Sequence, residues 1–264
     1  MSIAQDILAK LKEELSLQDE RKDDASRPKG CVLFSFQGIN IQIKQRNVIG
    51  SVLEEWLDEW LKQRFSNIEH NPAQSSPDFW LNPQDREADL LEVKAFYKSP
   101  NFDVAAFLSY VNEIKKNPYR LNSDYLIFKY DMDTESGDVS IKDVWLRKIW
   151  EICCASEKFA LKVQFKNESI TNIRPATWYS RSSKYRAFTC MEHFLSALEE
   201  NVYACDTTHT KAQTWKRTLC KNYKAKYGVD LVIPKWDDIK NQYITSDGKT
   251  KKRAKRNGEH SPQK

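Results

Sequence analysis

The sequence has little glycine and lacks the motifs that glycine-dependent nucleotide sites require. Only 7 of the 264 residues are Gly, and neither GxxxxGK(S/T) nor GxGxxG occurs. Those motifs need glycine because backbone N–H groups must approach a phosphate closely. A P-loop ATPase or a dinucleotide-binding enzyme is therefore not expected.

Long apolar runs and paired cysteines are missing as well. No stretch of about 18 apolar residues occurs, so the sequence predicts no membrane-spanning helix. The opening residues, MSIAQDILAKLKEEL, lack the apolar segment of a signal peptide, which favours a cytoplasmic location. Cysteines are expected to be reduced there, and the 6 in this chain show neither CxxC spacing nor a His at zinc spacing. We therefore interpret them as core or surface residues without a metal.

Positive charge is modest overall and is concentrated near the C-terminus. The formal net charge is +5, and six of the eight residues from Lys249 to Arg256 are cations. Such a polar, like-charged stretch predicts a disordered basic tail over residues 245–264. A tail of this kind is expected to add nonspecific, salt-sensitive affinity for DNA.

Hydrophobic periodicity predicts an α/β fold. Helical spacing indicates helices over residues 3–17 and 49–65, and the second carries a wide apolar stripe. Alternation indicates a hairpin over residues 31–43, which could be core scaffold, dimer contact or DNA-facing ribbon, and further strands over 125–130 and 158–165. The order of these elements predicts a central mixed β-sheet flanked by helices.

The residues from Ser76 to Phe96, SPDFWLNPQDREADLLEVKAF, carry the strongest chemical signal. Two short apolar runs are joined by a turn, so Glu92 and Lys94 project from the same side of the second strand. Asp78 begins the neighbouring strand and can reach the same place. Two carboxylates and an ammonium that converge in this way suit a hard cation such as Mg²⁺ and a bound water. The alternative is a plain β-hairpin with a surface Glu/Lys pair.

Pro77-Asp78, followed after thirteen residues by Glu92-Val93-Lys94, resembles the PD-(D/E)xK signature of Mg²⁺-dependent nucleases. The resemblance covers roughly residues 45–165 and implies a restriction-endonuclease-like core. It implies that Asp78, Glu92 and the backbone carbonyl of Val93 hold Mg²⁺, and that Lys94 positions the attacking water. It also implies that a preceding helix contributes an additional Glu, for which Glu54 is the candidate. A solvated Glu at a helix edge is the alternative for Glu54.

Within that superfamily the chain looks most like an orthodox type II restriction endonuclease. This interpretation predicts one nuclease domain over residues 1–244, with a catalytic core at about 45–165, which the resemblance covers, and DNA-binding elements at about 166–244, which rest on the sequence pattern alone. The layout resembles the branch that binds DNA from the minor-groove side and leaves blunt ends. A similarity around residues 48–56, VIGSVLEEW, suggests the enzymes that cut the interrupted palindrome GGNNCC. A repair or junction-resolving nuclease, and a noncatalytic nucleic-acid-binding protein, remain the alternatives.

Candidate DNA contacts lie in the basic C-terminal half. Residues 174–186, RPATWYSRSSKYR, interleave cations with aromatic and hydroxyl side chains, a mixture that fits phosphates and base edges. A helix over 214–227 also presents cations, although a solvated face would look the same. The candidate DNA-binding residues are Arg174, Arg181, Ser183, Lys184, Arg186, Lys216 and Arg217.

The assembly expected from this interpretation is a homodimer. A single Asp78/Glu92/Lys94 constellation hydrolyses one strand, whereas a palindrome is cut on both strands, and two-fold symmetry of the enzyme would match that of the site. The helix over 3–17 and the hairpin over 31–43 are spare surfaces for pairing. A type II enzyme also implies a cognate DNA methyltransferase as a genetic partner, and no membrane partner.

Overall fold

The computed structural model describes residues 2–17, 27–73, 75–205, 208–209 and 212–244, apart from the side chain of Gln213. The basic tail predicted over residues 245–264 lies outside this part of the chain. The described residues fall into two compact units. Unit 1 contains those of residues 1–104 and 117–149, and unit 2 contains those of residues 105–116 and 150–244. The sequence predicted one nuclease domain over residues 1–244, and the structure subdivides that range.

Unit 1 is built on a seven-stranded mixed sheet. In order across the sheet its strands are β2 (Ile39–Ile43), β1 (Lys29–Phe36), β8 (Asp138–Lys148), β7 (Asp124–Met132), β5 (Leu90–Phe96), β4 (Phe79–Trp80) and β3 (Glu69–His70). Neighbouring strands are antiparallel except for β5 and β7, which are parallel. The predicted central mixed sheet is therefore confirmed.

Two helices cover this sheet with apolar faces. Helix α1 (Ile3–Glu14) begins with a capping box between Ser2 and Gln5, and it packs against β8 with Ile7 and Leu11 fully buried. Helix α2 (Ile49–Lys62) buries Leu57 and Leu61 and packs against β5. The apolar face of α1 is buried in the core. The expectation that this helix is a spare surface for pairing is therefore wrong.

The predicted hairpin is present, with β1 and β2 paired around Gln37 and Gly38. Both turn residues have positive φ, 48° and 79°, as a two-residue hairpin turn requires. The apolar side chains near this turn are 48% to 70% exposed: Leu33, Phe34, Phe36, Ile39 and Ile41. The outer part of the hairpin is therefore not core scaffold.

Unit 2 combines four helices with a small antiparallel sheet. The helices are α3 (Phe107–Lys116), α4 (Met191–Ala204), α5 (Ala212–Tyr227) and α6 (Trp236–Ile239), and the strands pair in the order β6 (Ala105–Ala106), β10 (Ser169–Ile173) and β9 (Val163–Lys166). Helix α3 packs against both α5 and β10. This arrangement fits the predicted basic part of helices and loops.

The strand predicted over residues 158–165 is shorter than expected, because β9 begins only at Val163. The backbone of Leu161 is engaged by a side chain instead of a strand. Its N–H donates to Asn201 Oδ1 at 3.1 Å, and its carbonyl accepts from Asn201 Nδ2 at 2.8 Å. A buried amide thus replaces the ladder hydrogen bonds at this point.

All six cysteines are free thiols, and Cys153, Cys154 and Cys205 are buried. Burial raises the pKa of Cys154 to about 11, so it stays a protonated thiol near neutral pH. None of the described helices is long and apolar enough to cross a bilayer.

Candidate active site

Strand pairing places the carboxylate of Asp78 against the edge of β5. Strands β4 and β5 pair only through Phe79 with Leu91 and Trp80 with Leu90. Asp78 precedes β4, and its N–H donates to the Leu91 carbonyl at 3.1 Å. Beyond that point the side chain of Asp78 replaces a backbone partner for β5, because the N–H of Val93 donates to Asp78 Oδ2 at 2.6 Å. Two backbone groups of β5 thus fix the position of Asp78.

Glu92 and Lys94 project from β5 on the same face, as the alternation predicted. Glu92 Oε2 lies 3.7 Å from Lys94 Nζ. Glu92 is 5% exposed, which makes it one of the few charged residues buried in the described structure, and Lys94 is half-buried. The structure therefore brings Asp78, Glu92 and Lys94 together at β5, where the pairing with β4 ends.

Burial raises the pKa of the Glu92 carboxyl above its ordinary value. Lys94 opposes this rise, the Asp78 charge adds to it, and the hydrogen bond from Ser76 and the charge of Arg120 oppose it. The site is thus a desolvated carboxylate that the like charge of Asp78 destabilises and the cations Lys94 and Arg120 stabilise. Such opposed perturbations are typical of functional sites.

Helix α2 brings Glu54 into the same electrostatic field. Burial raises the pKa of the Glu54 carboxyl, and the Asp78 charge raises it further, while His70 and Lys94 lower it. The other glutamates of the middle of this helix, Glu55 and Glu59, are exposed. The predicted helix glutamate therefore lies within the electrostatic influence of Asp78 and Lys94.

Sequence reasoning missed two residues that hold Glu92. Ser76 Oγ donates a short hydrogen bond to Glu92 Oε1, and Arg120 Nη1 donates to Ser76 Oγ at 3.1 Å. Arg120 lies in the 3-10 turn Pro118–Asn122 that leads into β7. Only the parallel pairing of β5 with β7 brings this turn to the site, and no local pattern in the sequence indicates that pairing.

Two further residues that sequence reasoning missed lie on or next to the edge strand β3. His70 Nε2 is 3.3 Å from Glu54 Oε1. Asn71, which is buried directly after β3, donates from its side chain to the carbonyls of Ser75 and Pro77, at 2.8 Å each, and from its backbone N–H to the Asp78 carbonyl at 2.8 Å. Asn71 thereby fixes the loop that carries Asp78. A two-residue strand is too short to produce a readable alternation.

The donor set fits a hard cation held only partly by protein. N–H and C=O of one strand residue point to the same edge, so the Val93 carbonyl is directed to the edge where its N–H meets Asp78. Carboxylate and carbonyl oxygens are the ligands that Mg²⁺ accepts, usually one or two carboxylates with waters and substrate phosphate. The part of the chain that the structure describes contains no cluster of three or more His, Cys, Asp or Glu able to enclose a metal. The residues therefore fit Mg²⁺ shared with a substrate better than a closed structural site.

The basic stretch over 174–186 forms an irregular loop in unit 2. It lines a cavity of about 540 Å³, to which the predicted contacts Arg181, Ser183 and Arg186 all contribute. Lys184 is exposed and lies 3.6 Å from Glu157. Arg174 follows β10, and its N–H donates to the Lys162 carbonyl at 2.9 Å.

The two predicted contacts on α5 differ from each other. Arg217 is exposed. Lys216 Nζ instead donates to Glu199 at 2.8 Å and lies 3.4 Å from the Ile233 carbonyl. Lys216 would have to leave these internal partners to reach a phosphate, which makes it the weakest member of the predicted set.

Comparisons with known proteins show the family to which the chain belongs. The family model described as NgoBV restriction endonuclease matches residues 1–243. The type II restriction enzyme NlaIV of Neisseria lactamica is 42% identical over 218 residues, 81% of this chain and 89% of that enzyme. The type II restriction enzyme NgoBV of Neisseria gonorrhoeae is 38% identical over 152 residues, 56% of this chain and 83% of that enzyme. The solved structure of NlaIV restriction endonuclease superimposes with a TM-score of 0.81 at 40% identity, covering 91% of this chain and 96% of that one. The chain thus belongs to the NgoBV restriction endonuclease family and is a type II restriction endonuclease.

Proposed function

We propose that this restriction endonuclease uses Mg²⁺ to hydrolyse phosphodiester bonds of double-stranded DNA at a short palindrome, leaving 5′-phosphates. One observation carries the proposal. The Asp78 carboxylate is pinned to the Val93 N–H at 2.6 Å, beside the buried Glu92 and within the field of Lys94. This arrangement presents two carboxylates, a carbonyl and an ammonium at one strand edge.

Each residue of that edge has a separate task. Asp78, Glu92 and the Val93 carbonyl would hold the cation, which when bound supplies Lewis-acid charge and lowers the pKa of a water. Lys94 orients the attacking water and stabilises the negative charge that develops on the phosphate. Ser76 keeps the Glu92 carboxylate in place through its hydrogen bond, and Arg120 in turn donates to Ser76 Oγ.

The loop over 174–186 is the proposed DNA-binding element of unit 2. Its exposed cations Arg181, Lys184 and Arg186 suit phosphate oxygens or guanine edges, and Ser183 and Arg174 add donors. Arg217 adds a cation on α5, and Lys216 can do so only if its ion pair with Glu199 opens.

The proposed recognition sequence is GGNNCC, on the similarity around residues 48–56. The test is digestion of plasmid DNA with Mg²⁺, with sequencing of the ends and a parallel reaction in chelator. Three results together support the proposal: cleavage only with Mg²⁺, cleavage at one palindrome, and ends that a ligase joins without prior 5′-phosphorylation. Cutting that requires branched or mismatched DNA, or that proceeds in chelator, would overturn it.

A homodimer is the proposed assembly, with the β1–β2 hairpin as the paired surface. One face of this ribbon aligns Phe34 with Ile41 and Phe36 with Ile39, and all four are exposed. The ribbon carries no charged residue between Lys29 and Lys44, so it is poorly suited to phosphates and better suited to the same apolar face of a second copy. The proposed setting is the cytoplasm, with a DNA methyltransferase that protects the same sequence.

Mixing wild-type chains with Lys94→Ala chains tests the dimer. Heterodimers should nick plasmid, whereas wild-type dimers linearise it. If the mixture gives only linear and uncut plasmid and the enzyme sediments as a monomer on DNA, the dimer is wrong. Phe34→Ser combined with Ile41→Ser should shift a dimer toward monomer if the hairpin is the interface.

A further inference from the structure

Helix α2 and strand β3 are joined by a histidine that lies between two carboxylates. His70 Nε2 is 3.3 Å from Glu54 Oε1, and His70 Nδ1 is 3.6 Å from Asp58 Oδ2. Glu54 and Asp58 are one helical turn apart, so both face β3 from the same side of α2. A protonated ring nitrogen can donate to either carboxylate.

The histidine ring is itself fixed by the residues around it. It packs against the fully buried Phe79 with a centroid distance of 4.8 Å and an interplanar angle of 31°, and Phe79 is its antiparallel partner in the β3–β4 register. Asp58 is buried and also pairs with Lys62 at 2.8 Å. These contacts leave the imidazole little freedom to turn away from Glu54.

Glu54 without this contact would have no fixed orientation. Its side chain is 34% exposed, and the described contacts of its carboxylate are with His70, while Asp78 and Lys94 act on it through their charges. The Asp78 charge alone would drive the Glu54 carboxylate away from the site, because like charges repel. The hydrogen bond with His70 offsets this repulsion and fixes the direction of the carboxylate.

Building on the proposed function, we propose that His70 is a positioning residue, anchored by Asp58 and Phe79, that holds the Glu54 carboxylate beside Asp78 and Lys94 for DNA cleavage. His70 itself touches neither the substrate nor the cation in this arrangement. It acts on the reaction only through Glu54. Partners of this kind behind a site typically contribute about 10- to 100-fold in activity or metal affinity.

Four proteins test the proposal: wild type, His70→Phe, Glu54→Gln and the double variant. His70→Phe keeps a ring on Phe79 but removes the donor, and Asp58 keeps Lys62 as its partner. The measurements are the single-turnover cleavage rate at saturating Mg²⁺, the DNA affinity in chelator, and the binding of Mn²⁺ to the enzyme–DNA complex by loss of the free-ion EPR signal. Thermal unfolding of each variant reports on folding.

His70→Phe should slow cleavage by about 10- to 100-fold with unchanged DNA affinity, and the double variant should be no slower than Glu54→Gln. His70→Gln restores an amide donor toward Glu54 and should recover most of the rate, which a merely structural role would not predict. Glu55→Gln, an exposed neighbour on α2, is the matched control and should cleave at the wild-type rate.

Two results would overturn the proposal: wild-type cleavage by His70→Phe, or effects that multiply in the double variant. If wild type itself cuts no DNA with Mg²⁺, the proposed function fails instead, and the Mn²⁺ measurement decides about His70. Equal, non-additive weakening of Mn²⁺ binding by both single variants supports the positioning role. Equal Mn²⁺ affinity in all four proteins rejects it.

Discussion

The edge of β5 in unit 1 and the 174–186 loop in unit 2 are both rich in charged groups, but they are built on opposite principles. At the β5 edge, Asp78 and Glu92 are held by hydrogen bonds from Val93 and Ser76. In the loop, Arg181 and Arg186 are exposed around an open cavity. The first arrangement is held by hydrogen bonds within the protein, whereas the proposed DNA-binding arginines of the second are exposed to solvent.

This difference matches the two kinds of work that a nuclease requires. Stabilising a transition state demands groups that need no reorganisation, which is why strand positions suit the β5 residues. Binding a polyanion draws on charges that act over several ångströms and tolerate movement. Substitutions in the two regions should therefore affect different quantities, rate in one case and affinity in the other.

The largest difference between the effect on cleavage rate and the effect on DNA affinity is expected for Lys94→Ala. Removing the ammonium beside Glu92 should lower the cleavage rate by about 10²–10³ or more, because the transition state is then deprived of a stabilising positive charge. DNA affinity in chelator should stay within a few-fold of wild type. Lys98→Ala, an exposed cation shortly after β5, is the matched control and should retain activity. Near wild-type cleavage by Lys94→Ala would remove this residue from the active site.

Arg181→Ala and Arg186→Ala are expected to show the opposite pattern, a loss of DNA affinity with little change in cleavage rate. Each should weaken DNA binding and reduce the slope of log K against log salt by about 0.9 for each phosphate that the variant no longer neutralises. The single-turnover rate at saturating enzyme should change little. Lys166→Ala removes an exposed cation at the end of β9 and serves as the control. A wild-type salt slope in the arginine variants would place the DNA-binding surface elsewhere.

Glu92→Gln is expected to change stability and activity in opposite directions. Its effect on thermal stability should be a modest increase, whereas cleavage should be lost. Because burial raises the pKa of Glu92 in the folded state, its contribution to stability is complete below its ordinary pKa and is lost as pH rises through the raised value. Gln keeps an acceptor for Ser76 without this loss. In chelator, the variant should therefore melt a few degrees above wild type near neutral pH, and the gap should close toward about pH 4. The same variant should be inactive with Mg²⁺.

The control for that measurement is Glu55→Gln, which neutralises an exposed carboxylate on α2. It should melt close to wild type at every pH. A Glu92→Gln protein that melts below wild type near neutral pH, or a gap that does not vary with pH, would contradict the assigned electrostatics.

The smallest effect is expected from deleting residues 245–264. If this basic stretch contacts DNA, its removal should weaken binding to all sequences alike and flatten the salt dependence, while the ratio of specific to nonspecific affinity stays constant. Replacing its Lys and Arg by Gln at unchanged length separates charge from chain length. An unchanged salt slope would show that the tail does not touch phosphate.

The features that could be predicted from the sequence are those that depend on residues close together in the chain, such as strand alternation and helical spacing. Alternation placed Glu92 and Lys94 on one face, and the helical stripe of α2 placed Glu54 at its edge. Ser76, His70 and Arg120 were missed, because their contacts depend on which strands pair and in which direction. Leu161 shows the converse error, since its alternation was read as a strand although Asn201 satisfies its backbone. Local periodicity does not reveal a partner distant in the chain.

The packing of α1 against β8 has a consequence for biosynthesis. Helix α1 meets its partner strand β8 only after residue 148 has been translated, and β5 likewise requires the later strand β7. Contacts this distant along the chain form late, because a long loop must close before they contribute. A nascent chain therefore carries Asp78, Glu92 and Lys94 long before the sheet that aligns them exists.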